Sequence, residues 1–325
     1  MALSASSASD RRRGDNRPVS TATGGEPWSP TTECHRGILR IRGAAPALAY
    51  RPTFAYEPLG ERLWTVSDGT YRSVFVEGER AITAFDTFYS PGAATSYRLT
   101  IDRLFPRRPI ETIVYSHDHL DHTGFGADLA PHARVVAHAE AAAVVEARES
   151  DGQLPATEIW SGERLELELD GLDVELVYPG PTHGNGNIAA LFPSERVLFM
   201  VDTVAAGVGY TFYPDWHLST YMASMRRLLD LVWDRFVPGH LWPLDRAGFA
   251  QAIAWWEALE EAALGADAAG VDADDLTDVT AFADEHLRPR WGALARYEEY
   301  AALNLMRFLL HRRSGGWGLE DHPAT

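Results

Sequence analysis

The 325 residues, 46% of them hydrophobic, are enough to bury a core in one large domain or two modest ones, which excludes peptide-like and wholly disordered classes. With 29 Lys+Arg against 46 Asp+Glu the formal charge is −17, a balance that repels phosphate backbones and anionic headgroups, so neither nucleic acid nor a membrane is expected as a partner. Cys34 is the single cysteine and cannot form an internal disulfide, no apolar stretch approaches the ~20 residues of a membrane span, and Arg11, Arg12 and Arg13 lead into polar, Pro/Gly-rich sequence rather than an apolar export segment, so the expected location is the cytoplasm.

Residues 1–33 are rich in Ser, Ala, Thr, Gly, Pro and charge, with Trp28 as their one aromatic, and read as a disordered tail. From Leu63 the texture changes. Runs at 63–66, 73–76 and 81–85 are β-rich and separated by the turn signals Asp68-Gly69 and Glu77-Gly78, the pattern of antiparallel strands. A helix over 97–104, a buried strand over 111–115, a helix over 122–129, a strand over 134–137 and an Ala-rich helix over 139–147 follow. Strands at 165–169, 173–178, 188–192 and 197–201 repeat the logic, with Gly171 and Ser194-Glu195 at the corners. A helix over 218–231 then leads to a short strand, 235–237, that stops at Pro238-Gly239. The alternation, antiparallel first and parallel near the end of each half, predicts an α/β chain with two packed sheets and helices outside. Helices are expected over 249–264, 279–286 and 293–310, with an acidic linker at 267–278. The expected organisation is a catalytic domain over 34–245 and a helical C-terminal extension over 246–325.

The segment that carries chemistry is Tyr115-Ser116-His117-Asp118-His119-Leu120-Asp121-His122-Thr123-Gly124, which packs four metal-ligand types directly behind an apolar strand. Alternate positions of an extended segment face one way, so His117, His119 and Asp121 can converge, while a turn at Asp121-His122 points the last pair elsewhere. One stretch can thereby serve two cations. Imidazole with carboxylate suits Zn²⁺ first, with Fe and Mn open. His183 lies in a loop before a strand, Asp202 ends the strand over 197–201, and His240 follows Pro238-Gly239; ligand types at strand ends can meet along one edge of the sheets.

These residues resemble the metallo-β-lactamase superfamily, whose H-x-H-x-D-H signature is matched by His117, His119, Asp121 and His122, and in order by His183, Asp202 and His240. The resemblance covers about residues 60–245. It implies the αββα metallo-β-lactamase sandwich, here with a C-terminal helical extension. It further implies one metal on His117, His119 and His183, the other on Asp121, His122 and His240, and Asp202 as the bridge. Asp86 is similar to the family's early Asp, which orients a ligand imidazole.

A bridging Asp resembles the glyoxalase II, lactonase, phosphodiesterase and alkylsulfatase side of the family, whereas true metallo-β-lactamases carry Cys or Ser near that place. Residues 203–239 leave no room for the inserted domain of the superfamily's nucleases. The expectation is a binuclear metal-dependent hydrolase in which metal-bound hydroxide, formed from a water with its pKa lowered toward ~7, attacks a small ester, lactone, thioester or related substrate. Asp121 and Asp118 are the expected catalytic carboxylates, Asp118 as a proton shuttle between ligating histidines. Tyr210, Tyr213, Trp216 and His217 are the expected substrate wall, and Trp242 is a similar case. The alternative is a mononuclear non-haem iron dioxygenase of the persulfide dioxygenase type; a β-lactamase or a non-catalytic metal-binding protein ranks lower. A small-molecule substrate is the expected partner, with a homodimer left open. Aromatic stripes in the C-terminal helices, including Trp255, Trp256, Tyr297 and Phe308, read as core or dimer interface.

Overall fold

A computed structural model describes residues 51–213 and 215–315; the predicted tail, Cys34 and the end of the C-terminal extension lie outside them. Strands β1 (Ala55–Pro58), β2 (Leu63–Ser67), β3 (Arg72–Glu77), β4 (Ile82–Phe85), β5 (Ile110–Val114), β6 (Arg134–His138) and β7 (Glu158–Trp160) form one sheet in sequential order. Hairpin turns join β1 to β4, which pair antiparallel. Pairing becomes parallel from β4 to β7, where helices α1 (Pro91–Leu104), α2 (Leu120–Thr123), α3 (Gly126–Leu129) and α4 (Ala139–Arg148) make the crossovers. The second sheet holds β8 (Arg164–Glu168), β9 (Asp173–Val177), β10 (Ala189–Phe192), β11 (Val197–Met200), β12 (Arg235–Pro238) and β13 (Leu244–Asp245), in the order β13-β12-β11-β10-β9-β8. Helix α5 (Leu218–Leu229) connects the parallel pair β11 and β12.

Period-two patterning explains the layers. In β3, Val74 and Val76 face the second sheet while Phe75 faces the outer helices; in β11, Val197 and Phe199 face inward while Leu198 and Met200 face out. The inner faces share one apolar core, which includes Phe85, Val114, Phe192 and Val237. Ile101 and Tyr97 of α1 cover the first sheet, and α5 covers the second. The αββα sandwich expected from the sequence is present.

Helix α6 (Arg246–Ala269) starts at an Asp245 cap and runs through part of the predicted acidic linker to Gly270, whose left-handed φ of 73° ends it. Asp267 sits inside this helix because Arg312 and Arg313 neutralise it. The remaining linker is short, and α7 (Leu276–His286) follows. The single helix predicted over 293–310 is instead α8 (Arg288–Trp291) and α9 (Tyr297–Arg313), broken at Gly292 and at Arg296 with φ 68°. Helix α1 begins six residues earlier than predicted, because Ser90 caps Ala93 N–H and Pro91 takes the first turn. The helix predicted over 122–129 is split into α2 and α3. Trp255, Trp256, Tyr297 and Phe308 join the cluster on the outer face of the second sheet, as core. No described helix is long and apolar enough to cross a membrane.

Candidate metal centre

Strand β5 is buried from Thr112 and apolar over Ile113 and Val114, and its exit is pinned where Asp86 Oδ1 accepts the Ser116 N–H at 2.8 Å. The extended residues after it present His117 and His119, and the first turn of α2 swings Asp121 and His122 round. His183 arrives from the loop between β9 and β10, Asp202 from the end of β11 and His240 from the end of β12. Their ligand atoms form two groups, His117 with His119, His183 and Asp202, and His122 with Asp202 and His240, each within 4.8 Å. Asp202 belongs to both: Oδ1 lies 2.8 Å from His240 Nε2, and Oδ2 lies 3.1 Å from His122 Nε2, 3.5 Å from His183 Nε2 and 3.8 Å from His117 Nε2. Asp121 stands beside the second group, its Oδ2 3.8 Å from His122 Nε2.

These residues fit cations. The Ser116 hydroxyl engages His117 Nδ1 at 2.8 Å, which leaves His117 Nε2 buried, without a hydrogen bond, facing Asp202. His122 Nε2 and His240 Nε2 face one another at 3.2 Å. Two nitrogens at Zn–N distances of 2.0–2.1 Å around a tetrahedral ion lie about 3.3 Å apart. The electrostatics agree. Burial opposes ionisation of Asp202, but His122 and His240 overcome it and hold the carboxyl well below its ordinary range. Burial likewise lowers His122, yet Asp202 and Asp121 outweigh it and push the imidazole up to about 9. The field at that nitrogen thus favours a positive charge, whether proton or metal. Burial depresses His117 and His183, keeping them in the neutral form that ligates.

A second ring of groups contacts these side chains. Burial raises the Asp86 carboxyl to about 6 against the pull of His122, whose Nδ1 lies 3.9 Å from Asp86 Oδ2. Asp215 Oδ2 meets His119 Nε2 at 3.0 Å, the carboxylate–histidine arrangement that fixes ring orientation at metal sites. Asp86, Asp202 and Asp215 all have left-handed φ, at 53°, 51° and 61°. Asp118, between two ligands in sequence, is buried and turned to Arg148 at 2.8 Å, with Oδ1 accepting Asn185 N–H at 2.7 Å.

Of the four expected substrate residues, two stand against the cluster. Tyr210 is buried with its hydroxyl 3.5 Å from Asp202 Oδ1, and the Trp216 ring lies 4.0 Å from that of His183. Tyr213 turns into the core, where its hydroxyl donates to Val208 O and its ring packs on Trp256 and Phe308. His217 is exposed at the start of α5 and bonds Gly184 O at 3.1 Å, tying two site loops together. Trp242 is half exposed, at 51%. Sequence reasoning overlooked Tyr71, Asp215, Arg148 and Asn304. Buried Asn304 of α9 accepts Phe212 N–H at 3.0 Å and donates toward Tyr213 Oη, so the C-terminal extension holds the loop that carries Tyr210 and Trp216. The sequence signals near them announced a hairpin at Asp68-Gly69, helices ending before Arg148 and spanning Asn304, and a helix cap at Asp215, with no sign of which side chains would reach the site.

Comparison with known proteins agrees with this geometry. Residues 68–240, the span from the Tyr71 hairpin to His240, match the profile of the metallo-beta-lactamase superfamily. The chain is 46% identical over 306 residues to the 2,4-dinitroanisole O-demethylase subunit alpha of Nocardioides sp. (strain JS1661), covering 94% of this chain and 93% of that one. It is 34% identical over 265 residues to the beta subunit from the same strain, covering 81% and 83%. Solved structures share the fold: a metallo-beta-lactamase from Pontibacter korlensis superposes with a TM-score of 0.55 at 17% identity, over 63% of this chain and 99% of that one. One from Hirschia baltica gives 0.54 at 17% identity, over 63% and 98%. With the ligand residues assembled on the sandwich that the sequence implied, the chain belongs to the metallo-beta-lactamase superfamily.

Proposed function

We propose that this protein is a binuclear metal-dependent hydrolase of small, activated substrates: esters, lactones, thioesters or related compounds, including electron-poor aryl methyl ethers. The observation that carries the reading is Asp202, one buried carboxylate shared by two groups of potential ligands. When bound, two divalent ions, Zn²⁺ foremost, supply Lewis acidity and a water that ionises near neutral pH. The chain's own residues do the rest. Seven side chains, His117, His119, Asp121, His122, His183, Asp202 and His240, form the holding set, and Asp86, Ser116 and Asp215 orient imidazoles. Tyr210 and Trp216 wall the site. Asp118 braces the ligand loop through Arg148, a place that favours positioning over the shuttle role.

The aryl ether enters through the relatives, which are named for 2,4-dinitroanisole O-demethylation. Two nitro groups make the ring carbon that bears methoxy electrophilic. Hydrolysis there forms a bond from the ring carbon to water oxygen, breaks the ring–methoxy bond and releases the phenol and methanol, with no change in oxidation state. The aromatic wall beside the cluster suits a flat ring. Because the relatives are subunits alpha and beta of one enzyme, a related chain is the proposed assembly partner, alongside a homodimer. The dioxygenase alternative needs one iron, and a second group of His122, Asp202 and His240 favours two ions over one.

Purified protein should carry about two metal equivalents, consume no oxygen and hydrolyse at least one member of a panel of lactones, thioesters, phosphodiesters, sulfate esters, β-lactams and 2,4-dinitroanisole. One iron with oxygen uptake would overturn the proposal. In ¹⁸O-water, ring attack places the label in the phenol; label in methanol would refute that step.

A further inference from the structure

The turn between β2 and β3 reaches across to the second sheet. Asp68 Oδ1 accepts the N–H groups of Thr70 and Tyr71 at 2.9 and 2.8 Å, and Asp68 Oδ2 accepts the Tyr89 hydroxyl at 2.7 Å, which fixes the turn. The turn is then zipped to the His240 loop: Arg72 N–H donates to Gly239 O at 2.7 Å, Leu241 N–H to Thr70 O at 3.1 Å, and the Arg72 guanidinium to Leu241 O at 2.9 Å. Tyr71 pairs with His240 as a backbone bridge. Its side chain, 2% exposed, lies under the second ligand group, with its ring 4.4 Å from that of His240 and 5.2 Å from that of His122. Its hydroxyl donates to Asp121 Oδ2 at 3.1 Å. One tyrosine therefore touches Asp121, His122 and His240 together.

We infer that Tyr71 is a positioning residue for one cation of the pair: its hydroxyl and ring set the ligands of the Asp121/His122/His240 position. The hydroxyl holds the Asp121 carboxylate at a fixed rotamer, and the ring fills the space behind two imidazoles, so their nitrogens stay aimed inward. Such supporting contacts typically alter metal affinity by about 10–100-fold when removed. The inference rests on the two-cation reading above, and the test separates the two.

The full chain is stripped of metal and titrated with Zn²⁺ against a chromophoric chelator, as wild type, Tyr71→Phe and Tyr71→Leu, with Co²⁺ absorption spectra as a second readout. Thermal unfolding of each metal-free variant reports the fold. In wild type, two equivalents with two dissociation constants are expected. Tyr71→Phe keeps the ring and loses the hydroxyl, so the Kd of one equivalent should rise about 10-fold while the other stays within twofold. Tyr71→Leu should raise the same Kd further, and only that equivalent's Co²⁺ bands should move. Two wild-type equivalents with both constants unchanged in both variants, or with both raised equally, overturn the inference alone. One wild-type equivalent overturns the two-cation reading and the inference with it.

Discussion

The Asp118–Arg148 pair decides between two roles for a carboxylate that stands between two ligating histidines. The Asp118 side chain is 3% exposed and that of Arg148 is 26% exposed. Arg148→Met would leave Asp118 buried with the Asn185 N–H as its chief remaining donor. Breaking a buried ion pair from one side costs 3–5 kcal/mol, and the partial exposure of the guanidinium puts this one at about 3 kcal/mol. For a domain of this size that is a fall in Tm of about 6–12 °C, at 2–4 °C per kcal/mol. Asp118→Asn keeps an acceptor for Asn185 and gives up the charge-assisted bond, which should cost about 2 kcal/mol. Because the two side chains touch, the double variant should be less destabilised than the sum, with a coupling of about 1–2 kcal/mol. Calorimetry or urea unfolding of metal-loaded protein measures all four corners, and steady-state kinetics follows turnover. A brace predicts loss of stability with a modest fall in kcat. If Asp118→Asn left Tm unchanged while turnover fell more than a hundredfold, the bracing argument would fail and the shuttle would stand.

His119→Ala should abolish turnover while the circular dichroism spectrum stays that of the folded chain; full activity in that variant would sink the metal assignment. Chelation should remove activity and lower Tm, and Zn²⁺ at a thousandfold excess over Kd should restore about 4 kcal/mol of stability, read as a concentration-dependent Tm. Gly184 has φ +59°, and a Cβ there would lie 2.9 Å from Asp118 Oδ1 and 3.0 Å from His119 Nε2. Gly184→Ala should therefore cost about 1–3 kcal/mol of stability and reduce bound metal, as elemental analysis would show. Asn304→Leu strips the acceptor from the Phe212 N–H and one of two bonds from the Tyr213 hydroxyl, which still donates to Val208 O, a loss of about 2 kcal/mol; by loosening the loop of Tyr210 and Trp216 it should raise KM more than it lowers kcat, and an unchanged KM would count against the link.

The expected ligands were legible because they cluster in one short motif behind a strand or follow short apolar strands, as Asp202 follows the wholly apolar Val197–Met200 run. What stayed hidden lacked such a pattern. Strand β1 is exposed throughout and carries Pro58, β13 has only two residues, and neither signals a strand alone. Helix α6 crosses the acidic stretch because cations from α9, 45 residues further along, pair with Asp267, a contact no local window contains. The start of α1 was readable from Ser90-Pro91 and was passed over. Tyr213 and Trp216 look alike in sequence, three residues apart in one aromatic loop. Left-handed turns at Phe212, Tyr213 and Asp215 send one into the core and the other to His183.

Three aspartates of the centre, Asp86, Asp202 and Asp215, occupy backbone conformations that glycine adopts freely and other residues adopt at a cost of about 1–3 kcal/mol. Replacing any of them by glycine would relieve local backbone strain while deleting a carboxylate the cluster depends on. Heat resistance and activity should therefore pull in opposite directions at these positions. A library of metal-free protein enriched only for survival at high temperature should drift toward glycine there and lose its catalysts, so directed evolution of this protein needs metal and turnover in every round of selection.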